Sequence, residues 1–147
     1  MKFILVLAAT LASGTVFANE ANHFTCHSTK EASRKASAIL STSNIAGKIS
    51  LNLTFEEKDA TSAKMVEKTL SGMDKDVTVT KSPIGKLYTV KHGAKNLATV
   101  AIPSVTVKPG QVAIESTLVL TEVHTADHVT NSFVPLKCEA GFVQSLQ

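Results

Sequence analysis

The sequence predicts an all-β domain: a small antiparallel sandwich or barrel, with one or two short helices at most, closed by one disulfide. Three observations carry this reading. Several short runs alternate apolar and polar residues with period two, the repeat of a strand with one buried face. Proline and glycine stand between those runs where hairpin turns would fall. The chain has two cysteines, Cys26 and Cys138, 112 residues apart, so a bridge between them would tie the first strand to the last.

The first residues read as an export leader. Lys2 supplies a positive start, and Phe3 to Ala12 is an apolar run too short to span a bilayer as a mature helix. Val16-Phe17-Ala18 then offers the small residues a signal peptidase reads. Cleavage is expected after Ala18, leaving residues 19–147 as a single exported domain, periplasmic or secreted and bacterial in character. No later stretch is apolar enough for a transmembrane helix.

Ile49, Leu51, Leu53 and Phe55 alternate with Ser50, Asn52 and Thr54 and form the clearest strand. Val77 with Val79, and Tyr88 with Val90, mark two more, joined by a turn over Ser82 to Lys86 that contains Pro83 and Gly85. The β-rich run after Asn96 meets Pro103, which cannot donate to a ladder, so the strand is bent, bulged or at an edge there. Lys108 to Gln111 reads as a tight turn. After it, Val112, Ile114, Leu118 and Leu120 are in phase, with Ser116 the exception, and then Val134, Leu136 and Cys138 share a face. Two stretches stay open. Lys30 to Leu40 suits either a short helix or a polar edge strand. Asp59 to Gly72 reads as a helix, with Met65, Val66, Thr69 and Leu70 on one stripe, Asp59 or Thr61 capping its start and Gly72 ending it.

An oxidising compartment pairs the two cysteines. Pairing also removes the thiolate, and with it a nucleophile and a metal ligand, so His23 and His27 beside Cys26 are expected to be bystanders. A second histidine pair is more pointed. His124 and His128 flank Asp127 in a segment joining two β runs, and a loop can gather such residues round Zn or Cu. The plainer reading is a solvated polar turn.

The formal net charge is +3, too small to imply nucleic acid. Charge placement says more. Between Asp76 and Glu115 there is no Asp or Glu, while Lys81, Lys86, Lys91, Lys95 and Lys108 fall in that span. Together they would make a basic patch facing an anionic envelope component or an acidic protein, unless they are simply strand-edge guards. With no tryptophan and one tyrosine, platforms for stacking sugars or bases are scarce. No nucleophile elbow, S-x-x-K or H-E-x-x-H motif occurs. Glu56 and Glu57, adjacent in a strand, would point to opposite faces and suit no two-carboxylate hydrolase.

Phe24-Thr25-Cys26 near the mature start and Cys138 near the end are similar in layout to small periplasmic β-barrel proteins, among them the membrane-bound type of lysozyme inhibitor. The resemblance implies a small inhibitor of lysozyme-like enzymes as one function, and no inhibitory motif transfers residue by residue. The leading expectation is a non-enzymatic exported β domain that binds a partner or serves the cell envelope. The alternatives are that inhibitor, a metal-binding protein using His124 and His128, and a small hydrolase without a visible motif.

Overall fold

The computed structural model describes residues 21–43, 47–104 and 112–141. The expected leader and the turn over Lys108 to Gln111 lie outside those residues. The strands are β1 (His23–Ser28), β2 (Ala36–Thr42), β3 (Ile49–Lys58), β4 (Met65–Met73), β5 (Thr78–Ser82), β6 (Gly85–His92), β7 (Asn96–Pro103), β8 (Val112–Thr125) and β9 (His128–Gly141). They form one antiparallel sheet in the order β4-β3-β2-β1-β9-β8-β7-β6-β5. This is the expected all-β architecture, and the expected end-to-end tie is present: β1 pairs with β9, with Cys26 directly opposite Cys138 and the two bridged at a Cα separation of 3.9 Å.

The odd strand count has a simple resolution. Walking from β4 round to β5 crosses eight antiparallel pairings, so β4 and β5 run in the same sense. They are consecutive in the chain and separated only by Val77 and a 3-10 turn, Asp74–Asp76. In effect they are one kinked strand that leaves the edge beside β3 and arrives at the edge beside β6. The sheet curls until those edges approach. An added Cβ on Gly72 of β4 would lie 2.6 Å from Val90 Cγ1 of β6, so only glycine lets the two strands come this close. His92 on β6 reaches across to Glu57 on β3, with Nε2 3.1 and 3.2 Å from the two carboxylate oxygens. Its ring also meets Phe55 edge-on at 5.3 Å.

The interior of the curl is the core. Phe24, Ala38, Leu40, Leu51, Leu53, Phe55, Tyr88, Val90, Val100, Leu118, Val134 and Leu136 are all buried there, with the disulfide. Every one sits at an alternate strand position, as period two requires. Burying a side chain the size of Leu or Phe is worth roughly 1.5–3 kcal/mol. Ser116, the exception in the β8 phase, is buried with the rest because its hydroxyl donates to the Ala101 carbonyl at 2.6 Å. Pro103 ends β7. It faces Gly85 of β6, and the β7–β8 register stops at Ala101 opposite Thr117, so no ladder bond to β8 is asked of its missing N–H.

Two sequence readings need correction. Lys30 to Leu40 holds neither a helix nor an edge strand: β2 lies inside the sheet between β1 and β3, with Ala36, Ala38 and Leu40 pointing inward. Asp59 to Gly72 is not a helix but a turn followed by β4. The capping chemistry expected of Asp59 is real, yet it serves the turn. Its carboxylate accepts the Thr61 N–H at 2.8 Å and the Ser62 hydroxyl at 3.1 Å, while its backbone N–H donates to the Lys64 carbonyl. An Asx turn and a helix N-cap use the same side-chain acceptor, and the β-branched residues that follow favour the strand.

Those hydrogen bonds, the Thr61 N–H foremost, lower the Asp59 pKa. A carboxyl held lower in the folded state stabilises the fold above its unfolded value and ceases to do so as pH falls through the folded one. Acidification below the ordinary carboxylate range should therefore loosen this turn first, seen as selective amide exchange over residues 59–64. Ala63 in the same turn has φ 55°, a left-handed conformation that costs a residue with a Cβ roughly 1 kcal/mol. Ala63→Gly should raise stability by up to about 1 kcal/mol in denaturant melts.

Candidate functional site: the projecting β8–β9 arm

Strands β8 and β9 outrun their neighbours. β7 pairs with β8 only as far as Thr121, and β1 pairs with β9 only from Leu136 onward. Val123 N–H is met by the Asn96 side chain at 3.0 Å rather than by a strand. The end of the hairpin therefore stands clear as a two-stranded arm, and residues 124–131 are all exposed.

The arm has a free edge whose groups can be assigned. The Pro135 carbonyl accepts the Thr29 N–H at 3.0 Å, so it points away from β8. Backbone groups of alternate residues point the same way in an antiparallel strand. The N–H and C=O of Val129, Asn131 and Phe133 therefore face the open side, where no strand pairs among the described residues. Thr130, Ser132 and Val134 face the β8 ladder through Glu122, Leu120 and Leu118.

Natural edges are guarded by charge, proline or cover. The edges at β4 and β5 carry Glu67, Lys68 and Lys81. Residues 128–134, His-Val-Thr-Asn-Ser-Phe-Val, carry no Lys, Arg, Asp, Glu or Pro. Phe133 is 64% exposed and Val129 48%, on the face turned from the core. At the foot of the arm a groove of about 600 Å³ opens, and Leu87, Ala101, Thr117 and Pro135, one continuous cross-strand row, contribute to its lining.

The predicted His124, Asp127 and His128 are found at the tip. Asp127 occupies the two-residue turn and is exposed. A register shift between Val123 and Thr125 leaves His124 as the extra residue of a bulge, a device that re-aims a side chain. His124 hydrogen-bonds the Thr130 hydroxyl, lies 3.7 Å from the Glu122 carboxylate, and sets its ring against that of His128 with centroids 4.9 Å apart. Among the described residues, no group of three or more His, Cys, Asp or Glu side chains is placed to hold a metal ion. His23 lies elsewhere on β1, bonded to Ser41 at 2.7 Å.

The lysines do not gather as one patch. Lys81 and Lys86 are cross-strand partners. Lys91 is five residues along β6, about 17 Å away at strand rise and on the opposite face, and Lys95 is in the turn beyond it. Lys108 lies outside the described residues. Glu56 and Glu57 do diverge: Glu56 accepts the Lys35 N–H, and Glu57 binds His92. That Glu57–His92 pair joins residues 35 apart and has no local signature in the sequence. No helix among the described residues is long and apolar enough to cross a membrane. No protein-family model, curated protein or solved structure matches the chain.

Proposed function

We propose that this chain is a non-enzymatic exported domain that binds an extended segment of a partner protein by strand addition at the free edge of β9. The observation that carries the reading is that unguarded edge: three outward-facing residues, Val129, Asn131 and Phe133, whose backbone groups pair with no strand among the described residues, in a segment, 128–134, without Lys, Arg, Asp, Glu or Pro. Strand addition takes its affinity from main-chain hydrogen bonds and its specificity from side-chain pockets. Here the groove at the foot of the arm is the pocket, and exposed Phe133 and Val129 are the contact residues. The exposed Val129 and Phe133 favour a segment carrying β-branched or aromatic residues, because such residues pair well across strands. Export rests on the leader, Met1 to Ala18. An anionic partner is the weaker reading, because the lysines it would need are spread over two faces.

The test exploits the parity of the edge. Asn131→Pro removes a free-edge N–H and leaves the β8 ladder whole, and Phe133→Lys installs the missing guard. Both variants should keep the parent's circular dichroism spectrum and lose capture of a partner from envelope extract. Capture at parental level by both would remove the reading.

A further inference from the structure

We propose that His124 and His128 chelate a divalent transition metal ion, Cu²⁺ ahead of Zn²⁺, at the tip of the β8–β9 arm. The site is a two-imidazole chelate completed by water, which is why it is not a three-ligand protein centre. Metal–nitrogen bonds of about 2.0–2.1 Å place two coordinating nitrogens about 3 Å apart. Rings with centroids 4.9 Å apart and planes inclined by 30° meet that spacing when one nitrogen of each turns toward a shared point. Rotation of the exposed His128 side chain suffices.

Three features of the arm favour the chelate. The bulge at His124 brings its ring to the His128 ring across the two-residue turn. The Thr130 hydroxyl engages His124 Nε2 and holds its ring, the kind of outer contact that fixes a ligand's tautomer and direction, and leaves Nδ1 as the ligating nitrogen. The Glu122 carboxylate, 3.7 Å from His124 Nε2, adds negative charge beside the His124 ring. Affinity for nitrogen ligands rises from Zn²⁺ to Cu²⁺, so copper is the ion to expect first.

The experiment titrates the metal-free, oxidised chain with Cu²⁺ and then Zn²⁺ by calorimetry, and records the electron paramagnetic resonance spectrum of the copper form. The expected result is one equivalent of Cu²⁺ bound in the micromolar range, with hyperfine structure from imidazole nitrogen. Replacing both His124 and His128 by Gln should weaken it by at least about tenfold, 1.4 kcal/mol. Replacing His23 and His27 by Gln should leave it unchanged. Binding no tighter than about millimolar would overturn the proposal. So would an affinity that survives the His124/His128 change or is lost with His23 and His27. The outcome is independent of strand addition, which uses the backbone of Val129, Asn131 and Phe133.

Discussion

Converting Cys26 and Cys138 together to alanine should destabilise the domain by roughly 2–5 kcal/mol, the range for native disulfides in small exported domains. The bridge closes a span of 112 residues, and the chain-entropy model gives such a loop roughly 4–5 kcal/mol of constraint on the unfolded state. For a domain of this size 1 kcal/mol moves the melting temperature by about 2–8 °C, so the variant should melt well below its parent. It should still fold, because β1 pairs with both β2 and β9 through backbone ladders that do not depend on sulfur. The check is paired thermal melts of the oxidised, reduced and double-alanine forms. Equal melting temperatures for all three would show that the ladder alone holds the chain's two ends.

Phe55→Ala should cost as much, about 3–5 kcal/mol, the usual cost of deleting a buried phenylalanine. Phe55 is among the largest fully buried side chains. It also carries the edge contact to His92, where β3 faces β6 across the opening of the curl. Its removal leaves a cavity where β3 and β6 face each other through side chains rather than a ladder. Amide exchange should therefore rise most in β4 and β5, the two edges that meet there. Denaturant melts give the size of the loss, and exchange mapped by residue gives its place. A uniform rise in exchange would mean that the opening is no weaker than the rest of the sheet.

Much of this fold is legible from residue alternation. The run Ile49 to Phe55 has a buried face at Leu51, Leu53 and Phe55 and a polar face between them, and period two reports that directly. β2 is harder to read because its inward residues are mostly alanine, Ala36 and Ala38, which carry little apolar contrast against serine. β4 misleads for another reason. As an edge strand it has few buried positions, Gly72 alone among them, so its pattern lacks a clean inner face. Asp59 ahead of it signals a helix start as readily as an Asx turn. The arm was half legible. His124 and His128 stand out by spacing, but the bulge that joins them and the free edge beside them depend on where β1 and β7 stop pairing. Strand lengths relative to neighbours are a property of the assembled sheet, and no local pattern encodes them.

Strand addition by a partner requires the β9 edge to be open in the isolated chain. Residue-resolved amide hydrogen exchange of the free, oxidised protein tests it most directly. Alternation along the arm is expected: the Thr130, Ser132 and Val134 amides are protected by the β8 ladder, while those of Val129, Asn131 and Phe133 exchange at near-solvent rates and become protected once a captured partner is bound. Equal protection of all six amides in the isolated chain would contradict it, because the edge would then already be covered.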